Sequence, residues 1–546
     1  MRHSPEAVPV MSDRQLEMLL AHGTLRRVER GERLFGPQIE PYRFFAICSG
    51  RVVITGTWRS DNFVLARLER GEFLGELGLL AGQRPFLHAD MEETGEVVEI
   101  EPETLRTILA TVPELSDLIV TTFAARRRDL MASAGDGSLV IVAPDADGGA
   151  LAVRSFVARN RLPHRFLIDD GDEAKSIRAH HDVQDDVGYF AVLRDEEVLC
   201  EPTPRDLAAA LGLDLATDGA DVVDLAVVGA GPGGLAAAVY GASEGLSTLV
   251  VEDTAIGGQA GTSSRIENYL GFPTGISGAD LAFLGEVQAL KFGARLAVPR
   301  RAAALSDDGD GLLELLLDDG TRLSARSVVI ASGASYRKLP LERLEDFEGR
   351  GIYYAATDLE ARFCLNTDVV IVGGGNSAGQ AALFLSGYAR HVLIAVRGEG
   401  PASTMSSYLL DRIDASERIT VHAGTEIAQL HGGDTLNGVT FAQSDGTRTR
   451  IDTRALFLMI GATPNSGWLE GKLRLDDRGF ILTGGAIDRS NPFETSLTGV
   501  FAVGDVRSGS VKRVASSVGE GSVVVSAVHE HVIRLRMAAP SSVASA

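Results

Sequence analysis

The hydrophobic pattern of this chain changes character along its length. A short amphipathic helix is predicted around Arg14–Ala21. Residues 25–100 then carry short apolar runs, such as RFFAICSGRVVIT and NFVLARLERGEFLGELGLL, broken by glycines at 31, 50, 71, 75, 78, 82 and 95. That pattern predicts short strands joined by turns. PETLRTILATVPELSDLIVTTFAARRRDLM follows, with apolar positions at three- and four-residue spacing, and reads as a helical stretch. Between 137 and 216 the segments GSLVIVAP, ALAVRSFVARNRL, PHRFLIDD, GYFAVLRDEEVLCEP and PRDLAAALGL predict the order β-α-β-α-β-β-α, with a hairpin turn at Arg194–Glu197. From 222 onward a buried strand, a glycine turn, a small-residue helix and a second strand occur twice. They are DLAVVGAGPGGLAAAVYGASEGLSTLVVE and DVVIVGGGNSAGQAALFLSGYARHVLIAVR.

The expected fold is therefore multidomain α/β. Two Rossmann-like nucleotide-binding domains stand behind a unit of short strands and a smaller α/β unit. The expected division is 1–133, 137–216, 222–340, 341–465 and 466–537. GLDLATDGAD is a linker, and 538–546 is a small-residue, disordered tail.

Composition narrows the function. The chain has 546 residues and a formal net charge of −22, which argues against nucleic acid or an anionic membrane surface as partner. No apolar run reaches about 18 residues, so no membrane span is expected, and the N-terminus lacks a signal-peptide core. Three cysteines, Cys48, Cys200 and Cys364, fit a reducing cytoplasm. No cluster has metal-ligand spacing.

The glycines carry the first chemistry. Gly229, Gly231 and Gly234 have GxGxxG spacing, with Pro232 and Gly233 between them. Gly229 allows a tight turn, Gly231 lets backbone approach a pyrophosphate, and Gly234 lets helix pack on strand. The helix N-terminus offers N–H groups and a positive dipole end to the phosphates. Glu252, at the end of the second strand, can accept a ribose hydroxyl. The second copy has Gly373, Gly375, Asn376, Ser377 and Ala378, in GxGxxA spacing. Its second strand ends in Arg397, a cation that can hold a 2′-phosphate, helped by Arg412. NADPH is favoured, with NADH open.

Further motifs resemble the low-molecular-weight thioredoxin reductases over about 320 residues. IGGQAGTSSRIENYLGFP is similar to the segment that wraps the flavin, with Gly257, Gly258 and Gln259, and then Glu267, Asn268 and Tyr269. Ala331, Ser332 and Gly333 match the turn ending the first flavin segment. Asp505 matches the aspartate at the ribityl chain, and Arg513, Val514 and Ala515 match the head of the helix under the ring. WLEGKLRLDDRGFILTG fits an interdomain return strand. The resemblance implies FAD, NADPH, a homodimer and hydride transfer without a catalytic side chain. It also implies a Cys-x-x-Cys after a Gly-x-Gly turn. Here Gly349, Arg350 and Gly351 are followed by Ala355, Ala356, Thr357 and Asp358. Thiol–disulfide exchange has no attacking or leaving sulfur there. Cys364 reads as a buried thiol. Electrons then go to an unidentified acceptor. A reductase of ferredoxin or a thiol protein, and a sensor with negligible turnover, remain open.

Two front modules complete the expectation. GEFLGELGLLAGQRP resembles the phosphate segment of cyclic nucleotide-binding domains, with Gly75 and Glu76 in place. Arg84 sits one position early and is followed by Pro85 and Phe86. A cyclic-nucleotide site and a β-roll kept for packing or partner contacts both stay open. Residues 137–216 resemble a thioredoxin or glutaredoxin fold without its CxxC, which implies an adaptor. Cys200 is read as an inert core thiol.

Overall fold

A computed structural model describes residues 5–538, except 59–60, 86, 133–138, 145–146, 194–196, 214–221, 264–265, 267, 308, 310, 348–349, 355, 357 and 402–404. Glu267, Gly349, Ala355, Thr357, most of the 194–197 hairpin turn, most of the linker and all but the first residue of the tail lie outside the described residues.

Each apolar run becomes a strand or a helix face. In the first sheet the order is Thr24–Val28, His88–Ile100, Phe44–Trp58 and Asp61–Leu68, all antiparallel. Arg33–Phe35 and Phe73–Leu74 add short pairings. The helical stretch expected over residues 102–131 is two helices, Pro102–Thr111 and Pro113–Ala132, meeting at 118°. Val112 leaves the helical region (φ −119°, ψ 86°), because a proline follows it and cannot continue the backbone ladder.

The second sheet runs Glu197–Cys200, Phe190–Leu193, Leu139–Ala143, Arg165–Ile168. Leu139–Ala143 pairs parallel with Arg165–Ile168 and antiparallel with Phe190–Leu193. Helices Gly148–Arg159 and Pro204–Ala210 cover one face, and Asp172–His180 covers the other. Cys200 is exposed at the end of the edge strand, which corrects the core thiol expected there. Cys200 is the last residue of its strand, and neither hydrophobic cluster packed on this sheet includes it.

Two parallel-centred sheets follow. The first is ordered Arg295–Ala297, Thr248–Val251, Val223–Val228, Arg322–Ile330, Leu313–Leu317, Ala302–Asp307, with Val500–Ala502 beside Arg322–Ile330. The second is ordered Ile352–Tyr353, Ala455–Leu458, Asp368–Val372, His391–Val396, Ile419–Ala423. They are joined by the antiparallel pair Ala334–Tyr336 and Ala462–Pro464. The return strand expected over 468–484 is reduced to two isolated bridges, Leu475–Ile481 and Ile481–Arg507, preceded by a 3₁₀ turn at Gly467–Leu469. Asp476 accepts backbone N–H bonds from Arg478 and Phe480, folding this segment into a turn instead. Among the described residues no single helix is long and apolar enough to cross a membrane.

The β-roll is seated on helix Gly278–Lys291 of the oxidoreductase part. Phe283, Val287 and Leu290, on helix Gly278–Lys291, join the cluster that contains Phe44, Phe73, Ile108 and Phe123. Burying three such side chains contributes about 1.5–3 kcal/mol each. Arg161 adds an ion pair to Asp280 (2.7 Å) and lies 4.8 Å over the Phe283 ring.

Candidate functional site

The first glycine turn is held by contacts that only glycine permits. Gly229 has φ +104°, and a Cβ there would come within 2.4 Å of the Ala331 carbonyl. A Cβ on Gly234 would sit 1.8 Å from the Gly229 carbonyl. Gly233 faces Ser517 and Val503, and its carbonyl lies 2.1 Å from a Cβ built on Gly521. Gly231 differs. Its backbone is ordinary (φ −69°), and a Cβ there would meet nothing within 4 Å. The space above Gly231 is therefore open, and no side chain caps the helix Pro232–Ser243 that begins beside it. An open cradle at an uncapped helix N-terminus fits a pyrophosphate.

Other predicted residues converge on that cradle. Gly258 (φ +54°) brings its built Cβ within 3.1 Å of Gly231 Cα, and Gly257 N donates to Ala230 O at 2.8 Å. The Gln259 side-chain amide donates to Ala334 O, tying this loop to the crossover strand. Ala331 N donates to Val228 O. Gly333 (φ +68°) accepts from Asn465 N at 3.0 Å, while Asn465 Nδ2 donates to Ser332 O. Asp505 lies in the 3₁₀ turn Gly504–Val506, near Ser517 through Gly504. Burial pushes its carboxyl up, and Lys512 draws it back. Arg513 precedes the helix that starts at Val514 and Ala515. Asn268 is exposed, two residues after the Ile266–Ile276 bridge.

Glu252 shows what the cradle can still accept. Its Oε2 accepts from Ala230 N (2.7 Å), and its Oε1 accepts from Thr254 N (3.0 Å) and Ala255 N (3.2 Å). A carboxylate offers about four lone-pair sites, so one remains for a ribose hydroxyl. Burial raises its pKa, and the three backbone donors oppose that.

Three contributors were not legible in the sequence. Arg159, from the second sheet's helix, donates to Gly258 O at 3.3 Å. Asn465 braces Ser332 and Gly333. Glu520 accepts from Gly504 N at 2.6 Å and pairs with Arg507 at 2.5 Å, fixing the turn that carries Asp505. Asn465 alone had a local signal, since an Asn side chain beside a turn commonly bonds backbone.

The second cradle repeats the first. Gly373 (φ +141°) lies against Met459, with a built Cβ 2.2 Å from its carbonyl. Gly375 precedes the helix Asn376–Leu385, again without a side-chain cap, and Ala378 is buried beneath it. Asn376 Oδ1 accepts from Ser406 N at 2.7 Å, and Ser377 follows in the first turn. Arg397 ends its strand 88% exposed, 3.9 Å from Glu426. Arg412 lies in the last turn of helix Ser407–Asp414.

Residues 223–521 match the pyridine nucleotide-disulphide oxidoreductase family, and residues 25–112 match the cyclic nucleotide-binding domain family. The chain belongs to the pyridine nucleotide-disulphide oxidoreductase family. It is 36% identical to a thioredoxin reductase of Mycolicibacterium smegmatis over 302 residues, 55% of this chain and 93% of that one. It is 33% identical to the NADPH-dependent thioredoxin reductase 3 of Arabidopsis thaliana, over 56% of this chain and 58% of that one. Among solved structures, the Lactococcus lactis thioredoxin reductase in its FR conformation matches with a TM-score of 0.53 at 26% identity, covering 57% of this chain and 99% of that one. The T. acidophilum thioredoxin reductase matches with a TM-score of 0.52 at 27% identity, over the same shares. This is an FAD-dependent oxidoreductase fold that binds NAD(P)H, with a cyclic nucleotide-binding domain in front.

Ala356 is buried in the core with Ala361 and Phe457, and Asp358 opens the helix Asp358–Phe363. Cys364 is fully buried and its Sγ donates to Glu360 O at 3.2 Å. Burial, then the Glu360 carboxylate, pushes the thiol up to about 12. A thiol held there is not a nucleophile at neutral pH.

Proposed function

We propose that this protein takes electrons from NADPH through FAD to an external acceptor, without a dithiol of its own. What supports this is that Ala355, Ala356, Thr357 and Asp358 stand where the thioredoxin reductase resemblance implies a Cys-x-x-Cys, with the nearest cysteine in sequence, Cys364, buried and held protonated. When bound, FAD would supply two-electron chemistry. Gly231, Gly258 and the N-terminus of helix Pro232–Ser243 would hold its pyrophosphate, and Glu252 its ribose. Asp505 would hold the ribityl chain. The N-terminus of helix Val514–Ala538 presents a positive dipole end where negative charge develops. Gly373, Gly375, Asn376 and Ser377 would hold the dinucleotide phosphates, with Arg397 on a 2′-phosphate. The four-stranded sheet of residues 139–200 supports a thioredoxin-like module, which is docked through Arg159 and Asn160 on Gly258 and Thr254 and so serves as a brace.

Steady-state NADPH oxidation with oxygen, a quinone, ferredoxin and oxidised thioredoxin tests the reading. Turnover with a non-thiol acceptor, unchanged by Cys364→Ala or by thiol alkylation, is expected. Loss of turnover on either treatment contradicts it.

A further inference from the structure

The β-roll and helix Pro113–Ala132 together line a cavity of about 110 Å³ whose chemistry does not match a cyclic nucleotide. Its walls include Phe35, Ile54, Leu65, Ala66, Leu68 and Leu74. The antiparallel register between Phe44–Trp58 and Asp61–Leu68 slips beside Leu65, and both Leu65 and its neighbour Ala66 line the space. A regular strand sends adjacent side chains to opposite faces, so the bulge makes this wall more apolar than alternation allows.

Glu76 and Arg126 at the cavity are already engaged, and Tyr42 and Asp129 are the other polar residues that line it. Glu76 caps its own short helix, with Oε1 accepting from Gly78 N at 2.8 Å. Its Oε2 accepts from Arg127 Nε (3.0 Å) and Nη2 (2.8 Å). Arg126 donates to Ala7 O (2.9 Å) and Gly75 O (2.7 Å), and covers the Phe73 ring at 4.9 Å. Arg84, the arginine nearest the phosphate position in sequence, is turned away to Glu40 (2.9 Å), and its stem lies over Gly212. A cyclic phosphate brought here would lose its water and gain no dedicated guanidinium, which is unfavourable for a buried charge. An uncharged apolar molecule has no such cost, and dry apolar cavities near this size take single-ring hydrocarbons.

The cavity also has a physical route to the flavin-type cradle. The Glu76–Arg127 pair faces Glu286 on helix Gly278–Lys291. That helix presses on the loop beside Gly231: a Cβ on Gly278 would meet the Ala260 carbonyl at 1.7 Å, and one on Gly257 would meet Ala282 at 2.5 Å. One helix therefore touches both the helix behind the cavity and the loop that would wrap the cofactor.

We propose that this cavity is a regulatory site for an uncharged, largely apolar molecule no larger than a small aromatic, about six to nine heavy atoms, and that helix Gly278–Lys291 links its occupancy to FAD affinity. The link rests on the reading that the first cradle holds FAD; ligand entry into the β-roll does not.

Calorimetry of the full chain with indole, with cAMP as comparator, tests both parts. Indole is expected to bind at one site per chain with a negative heat-capacity change. Ala66→Trp, which fills the cavity, and Leu65→Arg, which places a charge at its wall, are each expected to abolish binding while keeping the thermal transition. Saturating indole is expected to shift the FAD dissociation constant about fivefold or more in the parent chain, and not in either variant. No indole binding, or indole binding that survives both substitutions, overturns the site. Micromolar cAMP binding abolished by the same substitutions overturns its chemistry. Indole binding with an unchanged FAD constant overturns the link. A chain that binds indole but no FAD refutes the cofactor reading and leaves the site standing.

Discussion

Gly229, Gly231 and Gly234 share one motif and answer to different physics. Gly229 and Gly234 serve the protein's own packing, because a Cβ at either meets backbone. Alanine at Gly229 also meets a left-handed backbone. Each alanine variant is expected to destabilise the FAD-free protein by about 2 kcal/mol or more, measured by chemical denaturation. Gly231→Ala meets open space, so its stability is expected to change by about 1 kcal/mol or less. Its FAD affinity should fall at least about tenfold, read by flavin fluorescence on reconstitution. Equal losses of stability at all three positions would refute this division. Arg397 is the complementary case. It is exposed and only loosely paired with Glu426, so Arg397→Ala is expected to leave stability unchanged. It should raise the KM for NADPH about tenfold, the worth of a charge-assisted hydrogen bond, and spare NADH. The tight turn at Gly229 and the close packing at Gly234 were legible because spacing encodes them. Cys200 was misread because a hairpin sequence does not show which strand lies at an edge.

Helix Gly278–Lys291 shows why elements are harder to read than residues. Phe283, Val287 and Leu290 at three- and four-residue spacing announce an apolar face, but nothing in that spacing says that the β-roll covers it. Glu286 on the same helix lies among Arg127, Arg161 and Glu76 from the front modules. Burial outweighs the two arginines and lifts its carboxyl to about 7. The folded-state value lies above the unfolded one, so its contribution to stability is full below about 4.5 and is lost as pH rises through about 7. The loss is up to about 3 kcal/mol. Denaturation at pH 5 and pH 8 should show the parent chain falling relative to Glu286→Gln by that order. A difference that does not change with pH contradicts this assignment. The break at Val112 was within reach of the sequence, since Pro113 marks it. The missing return strand was not, because Asp476 folds that segment through side-chain bonds that leave no periodicity.

At the scale of the whole molecule, the β-roll and the oxidoreductase fold share one core cluster, and the second module makes a set of polar contacts to that fold through Arg159, Asn160 and Arg161. A chain beginning at residue 222 exposes Phe283, Val287 and Leu290. It is expected to bind anilinonaphthalene sulfonate or associate in sedimentation, where the full chain does neither. A dye-silent, monodisperse short chain would show that the contact is dispensable. The two glycine cradles, the order of the sheets and the front β-roll were all readable from pattern and motif. The seating of one module on another depends on surfaces distant in sequence, and no local signal records it. The central claim is that flavin chemistry here runs without an internal sulfur relay, and anaerobic dithionite titration of the FAD-loaded protein tests it most directly. The account predicts complete bleaching at two electrons per flavin. Uptake of four, with two thiols appearing, would contradict it.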